Sequence, residues 1–265
     1  MQCKCYNFGK ISQCPICKNY QFIGGTKMKF TYETFTNFLK GIDLAKYREK
    51  YSKTKIVEMD LPKNIQALQT IYEQYWQNKD NRETPLSFED YYKVYWRTHE
   101  ADIKSFWQKS GFGMGCDCFL RGLEARIYRT WASLITQIHG GYVAESVFGK
   151  DTVKMGTELD HRNVDILVTK QDGMEIKIQI KKVTHRPEFA RRQENQHQDS
   201  DVKDVFYIVP SAIDYELNST YKVGANKGKI KNSLKEFKKF NPNGTLDRLE
   251  NGFVIFTPEA FKELL

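Results

Sequence analysis

The chain contains no run of about 18 apolar residues, the length a helix needs to cross a bilayer, so a membrane-spanning protein is not expected. Its first residues, MQCKCYNFGK, lack an apolar core, which excludes a secretory signal and points to the cytoplasm. No internal repeat and no low-complexity tract is visible, so solenoid and linker-like architectures are set aside. Acidic residues are the scarcer sign of charge: 33 Asp and Glu stand against 41 Lys and Arg, a net charge of +8. That balance favours a polyanionic partner, nucleic acid ahead of an anionic membrane.

What is present is globular. At 265 residues the chain can bury a substantial core, as one large domain or one and a half. Three segments are expected: a cysteine-rich piece at 1–27, a helical region at 28–110 and a catalytic core at 111–265. Four of the six cysteines, Cys3, Cys5, Cys14 and Cys17, crowd the first segment as C-x-C-x8-C-P-I-C, before Gly24-Gly25. Crowding of this kind in a cytosolic chain suggests metal rather than disulfides. Four thiolates suit tetrahedral structural Zn2+ and leave no open position for catalysis. Cys116 and Cys118 read as small loop or core residues.

The first half reads as mostly helical. Phe35, Phe38, Leu39, Ile42 and Leu44 approximate helical spacing within 28–51. Ile65, Leu68, Ile71, Tyr72, Tyr75 and Trp76 make an apolar stripe in a second helix over 64–77. Ser87 caps a third, with Asp90 as an acidic residue in its first turn. A long helix is expected from about Cys118 to His139, stopped by Gly140-Gly141. Beyond it, strands at 164–168, 174–182, 205–209 and 253–256 and a terminal helix in PEAFKELL predict a mixed sheet flanked by helices, an α+β fold. Seven lysines between 222 and 239 suit either a solvated helix face or a phosphate-contacting surface.

The most informative stretch runs from Glu158 to Lys182. VDILV (164–168) is β-branched, Asp172-Gly173 is a turn signal, and MEIKIQIKK alternates strictly. Ile176, Ile178 and Ile180 share one face; Glu175, Lys177, Gln179 and Lys181 share the other. A solvated strand would look the same. Phosphodiester hydrolysis also uses these parts: carboxylates for Mg2+ and a lysine near the developing charge. Asp165 supplies one carboxylate, and Glu124 on the preceding helix is a candidate for another from a third direction. Glu175-x-Lys177 and Gln179-x-Lys181 both fit the acid-or-amide, x, lysine pattern, and periodicity does not choose between them.

Several ordered segments carry a resemblance: TFTNFLKGIDLAKYREKY (34–51), VEMDLP (57–62), YEQYW (72–76), GCDCFLRGLEARIYRT (115–130), ELDHRNVDIL (158–167), IQIKK (178–182) and LENGFVIF (249–256). In these the chain resembles the TaqI-type restriction endonucleases, a family with a PD-(D/E)xK-like core that cleaves TCGA in duplex DNA. The resemblance implies Asp160, Asp165 and Lys181 as functional positions, and so selects the Gln179-x-Lys181 register. It implies Mg2+-dependent type II cleavage giving 5′-phosphate ends and a 5′-CG overhang, by a homodimer on a palindromic site. Asp165, Asp160 and Glu124 are then candidate Mg2+ ligands, and Glu124 paired to Arg126 or Arg129 is the structural alternative. Lys182, His185, Arg186, Arg191 and Arg192 are candidate DNA contacts. The first 27 residues stand outside the resemblance, with Met28 a candidate internal start, and VTHRPEFARRQ matches loosely. A repair or recombination nuclease of the same chemistry, or an inactive zinc-ribbon DNA-binding protein, are the alternatives. If the four N-terminal cysteines form one site, metal analysis of purified protein returns about one zinc per chain; a zinc-free, fully reduced protein refutes that.

Overall fold

The computed structural model of the chain describes residues 30–51, 54, 61–79, 84–110, 115–183, 201–208, 224, 225, 227, 241 and 243–265. The first half is helical, as its spacing predicts. Helix α1 (Tyr32–Lys40) begins at Thr31, whose hydroxyl accepts the Thr34 N–H at 3.3 Å while the Thr31 N–H donates to the Thr34 hydroxyl at 2.7 Å. This reciprocal cap satisfies two donors that a helix start otherwise leaves unpaired. Helix α2 (Leu44–Tyr51) follows after Gly41, so the expected single helical region is two helices. The stripe over 64–77 is a 3-10 turn (Lys63–Ile65), then α3 (Ala67–Tyr72), which widens into a π turn (Glu73–Gln77). Helix α4 (Phe88–Ser110) starts where Ser87 accepts the Asp90 N–H at 3.2 Å and donates to the Asp90 carboxylate at 2.9 Å, the expected cap.

Helix α5 (Cys116–Phe148) departs from expectation. It does not stop at Gly140-Gly141 but passes through them for two further turns, and both glycines are buried. Their role is close approach. A Cβ on Gly140 would sit 3.1 Å from the Phe256 ring and 3.2 Å from Ile180 Cδ1. On Gly141 it would overlap Met155 Sδ and come within 3.0 Å of the Trp76 ring. Two glycines weaken a helix by about 1 kcal/mol each, which burial against four apolar side chains offsets. A glycine pair signals a helix end only if the helix surface there is open to solvent; here the surface is the centre of the molecule.

Around α5 lies an aromatic core. Trp131 donates its indole N–H to Tyr75 at 2.7 Å, the Tyr75 hydroxyl donates to the Leu86 carbonyl at 2.8 Å, and Tyr142 donates to the Tyr75 carbonyl at 2.5 Å. Each ring thus buries its apolar body without leaving its polar tip unpaired. Asn251, from the LENGFVIF segment, donates to the Leu39 and Ile42 carbonyls at 2.6 and 2.9 Å. It thereby ties the end of α1 to residues more than two hundred positions later.

Four strands form one sheet in the order β1 (Val153–Lys154), β2 (Ile166–Thr169), β3 (Glu175–Val183), β4 (Val202–Ile208). The first two pairings are antiparallel and β3–β4 is parallel, so the sheet is mixed as expected. The β2–β3 hairpin closes on Gly173 at φ 82°, a left-handed conformation that glycine adopts without strain. Ile178 and Ile180 are buried, whereas Lys177, Gln179 and Lys181 are only partly covered, in keeping with the alternation in sequence. FVIF does not join this sheet. Its β6 (Val254–Phe256) pairs with β5 (Leu246–Arg248) in a separate hairpin that packs Phe256 on Gly140. A short helix, α7 (Glu259–Lys262), follows, and a short helix α6 (Thr157–Asp160) precedes β2. No described helix is long and apolar enough to cross a membrane.

Gly141→Val is expected to cost about 1–3 kcal/mol by overpacking, read by urea unfolding. Gly115→Ala, where a Cβ meets nothing within 4 Å, should stay within about 0.5 kcal/mol.

Candidate active site

The aspartates are brought together by a short, sharply terminated helix. Asp160 is the last residue of α6, and Asn163 follows in the left-handed region at φ 58°. Asparagine tolerates that region better than most residues. The reversal lets the Asn163 N–H reach the Asp160 carbonyl at 2.9 Å and delivers the chain to Asp165 at the mouth of β2. Asp165 then grips β3 at two points. Its backbone N–H donates to the Ile178 carbonyl at 2.9 Å, and its carboxylate accepts the Ile180 N–H at 2.6 Å. The carboxylate therefore stands where a backbone carbonyl would otherwise continue the ladder.

Asp165 is 6% exposed. Its second carboxylate oxygen accepts from Gln137 Nε2 at 3.1 Å, so α5 reaches the site from the other side. Burial pushes the Asp165 carboxyl up to about 6, with the negative charge of Asp160 adding to it and the Ile180 bond working against it. Burial also raises Asp160, opposed by His161. The Tyr72 hydroxyl on α3 is buried, is raised by burial and then by the charges of Asp160 and Asp165, and has no hydrogen-bond partner among the described residues. The buried Asp165 carboxylate, the half-buried Asp160 carboxylate whose charge raises it, and the orphaned Tyr72 hydroxyl are all hard oxygen donors. Such a set fits Mg2+.

Lys181 is half-buried on β3, next to Ile180, and its ammonium lies 2.7 Å from the Asp204 carboxylate on β4. Gln179 pairs in register with Asp204. The other candidate register sits elsewhere. Glu175 pairs with Thr169 at the turn end of the hairpin, four residues or roughly 13 Å along β2 from Asp165. Lys177 pairs with Asp201, which is 86% exposed.

Glu124 is not brought to this group. Its carboxylate accepts from Lys50 at 2.6 Å and from the Tyr51 hydroxyl at 2.9 Å, joining α5 to α2. Thirteen residues of helix separate it from Gln137, about 20 Å at 1.5 Å per residue. Among the described residues no three His, Cys, Asp or Glu side chains converge on one point. Anchoring of Glu124 is expected through Arg126 or Arg129; Lys50 and Tyr51 reach it from another helix, which helical spacing does not reveal. Cys3, Cys5, Cys14 and Cys17 lie outside the described residues, as do His185, Arg186, Arg191 and Arg192. Lys182 lies in β3, but its side chain is also outside what is described. Of the seven lysines between 222 and 239, Lys227 is described and exposed. Cys116 and Cys118 are free and exposed rather than core.

Gln137, Tyr72 and Asp204 were not singled out from sequence as site residues. Gln137 is a polar residue in the apolar stretch of α5, and Asp204 interrupts a strand face just before VFYIV; both are weak signals.

The chain is 30% identical over 243 residues to the type II restriction enzyme TaqI of Thermus aquaticus, covering 91% of this chain and 89% of that one. It is 32% identical over 246 residues to a second type II restriction enzyme, from Thermus thermophilus, covering 90% and 88%. These likenesses place it among the type II restriction endonucleases, enzymes that cut DNA at specific sites. Within that class, the TaqI restriction endonuclease family matches residues 32–265, and the chain belongs to that family. No solved structure matches it.

Gln137→Leu leaves one oxygen of a buried carboxylate without its donor. It is expected to lower stability by about 1–3 kcal/mol in urea unfolding. In an Asp165→Ala background the same change should cost far less, because the group it served is gone.

Proposed function

We propose that the chain hydrolyses both strands of duplex DNA at TCGA, in a Mg2+-dependent reaction at Asp165, Asp160 and Lys181. The observation that carries this reading is the Asp165 clamp. A buried carboxylate is bonded to the Ile180 peptide, flanked by Gln179 and Lys181, with Asp160 close enough to raise it. It supports the Gln179-x-Lys181 register, because Glu175 lies at the far end of the hairpin. Asp165 and Asp160 would hold the metal, with Glu124 left out of the ligand set. When bound, Mg2+ would supply an activated water and neutralise phosphate oxygens. Lys181 would place its ammonium against the charge that develops on the scissile phosphate. Gln179, a neutral amide, offers a carbonyl acceptor and an N–H donor to an ordered water. The water oxygen bonds to phosphorus as the bond to the 3′ oxygen breaks, leaving a 5′-phosphate, a 3′-hydroxyl and a 5′-CG overhang.

The palindromic target implies a homodimer on DNA, with Lys182, His185, Arg186, Arg191 and Arg192 as phosphate or base contacts. The four N-terminal cysteines would bind structural Zn2+, outside the family match, which begins at residue 32. The cysteine segment, the helical region and the core at 111–265 are proposed as the organisation of the chain.

Plasmid digestion tests the reading: discrete Mg2+-dependent fragments are expected, and sequencing of their ends should return TCGA. Smears or end-trimming would favour a repair nuclease, and no cutting a DNA-binding protein without activity. Lys181→Ala should slow cleavage by about 10²–10³-fold, while Lys177→Ala stays near wild type. The reverse pattern would hand the site to Glu175-x-Lys177.

A further inference from the structure

The Gln179-x-Lys181 pattern lacks something the commoner acid-x-lysine pattern contains. Two positions before the lysine, on the same strand face, a carboxylate is replaced by a neutral amide. The lysine therefore has no negative partner on its own strand at that position. The adjacent strand carries one. β3 and β4 run parallel with Gln179 opposite Asp204, so the two side chains stand on the same face about 4.8 Å apart. Asp204 Oδ2 lies 2.7 Å from Lys181 Nζ.

We propose that Asp204 is the positioning residue for Lys181, supplying from β4 the negative charge that Gln179 does not supply from β3. The proposal rests on the catalytic reading of Lys181 given above. A lysine ammonium on a four-carbon stem is mobile, and a catalytic ammonium must be held before the phosphate arrives. An ammonium has three N–H donors; one spent on Asp204 leaves two for the substrate.

The same strands contain a contrasting pair. Lys177 and Asp201 are also joined, at 2.9 Å, but the lysine is 37% and the aspartate 86% exposed. Asp201 precedes β4 and has no place in the ladder. Lys181 and Asp204, by comparison, are 32% and 11% exposed. The two lysines are similarly exposed and the aspartates are not: a carboxylate out in water orients little, whereas one that is covered and set within the register of two strands fixes where the ammonium sits. β4 was readable from sequence only as an apolar strand. Its pairing with β3, across an intervening segment of nearly twenty residues, is what gives Asp204 its partner.

The test is single-turnover cleavage of the duplex the enzyme cuts, together with metal-free DNA binding by fluorescence anisotropy, in the full-length protein. Asp204→Asn keeps the shape and removes the charge. It is expected to slow cleavage about 10- to 100-fold with DNA affinity within about 2-fold, while Asp201→Asn cuts like wild type. Gln179→Glu placed in the Asp204→Asn protein returns a carboxylate to the same face from the other strand, and is expected to recover at least about 10-fold of the loss. A purely structural aspartate would not be rescued in this way. Wild-type cleavage by Asp204→Asn, a loss that Gln179→Glu does not restore, or an equal loss in Asp201→Asn overturns the proposal. If Asp204→Asn does not fold, Asp204→Glu replaces it. A carboxylate displaced by one methylene should slow cleavage at least about 5-fold with binding retained, and unchanged cleavage overturns the proposal. Should Lys181→Ala itself cut normally, the underlying assignment of Lys181 fails. Loss in Lys181→Ala with none in Asp204→Asn removes Asp204 alone.

Discussion

The site hangs on one hydrogen bond, from the Ile180 peptide to the Asp165 carboxylate. An acidic side chain has been written into a β-ladder in place of a backbone carbonyl. That substitution joins the mouth of β2 to the middle of β3 and holds a charge where water barely reaches it. Burial raises the carboxyl, and so does Asp160. The arrangement is unfavourable for an isolated protein, and a cation bound there would offset its cost. Active sites commonly concentrate such costs, and the rest of the fold must supply the rigidity that keeps them.

Here the rigidity comes from α5. Its glycine pair lets Ile180 and Phe256 approach the helix backbone, so β3 and the β5–β6 hairpin share one support. One turn before the glycines, Gln137 bonds to Asp165; about two and a half turns before them, Trp131 enters the aromatic core with Tyr75 and Tyr142. The helix is thus a rod of roughly 50 Å, with Glu124 held by α2 toward its start and Gln137 at the site about 20 Å further along. Glu124, a tempting acid by composition, belongs to the structural end, where Lys50 and Tyr51 hold it.

Much of the local structure was legible because its causes are local. The Ser87–Asp90 cap, the Asp172-Gly173 turn and the alternation of Ile176, Ile178 and Ile180 depend on residues within a few positions of one another. What failed to read correctly depends on distant partners. Gly140-Gly141 looks like a helix stop until Met155, Trp76, Ile180 and Phe256 are placed around it. FVIF looks like one more strand of the sheet until Leu246–Arg248 claims it.

The division within the site follows the same line. The residue types, the hairpin and the likeness to a restriction endonuclease family were properties of the sequence alone, since periodicity and ordered motifs survive without coordinates. Sequence periodicity left Glu175-x-Lys177 and Gln179-x-Lys181 equal, because both lie on one strand face. In the tertiary structure their surroundings differ: the Asp165 clamp lies beside Gln179 and Lys181, while Glu175 sits at the far turn. The tertiary structure also decided which neighbours those residues have: Gln137 from a helix, Tyr72 from another, Asp204 from a strand that returns in parallel. Those contacts arise from helix packing and strand pairing between segments far apart in the chain, and no short window of sequence contains them.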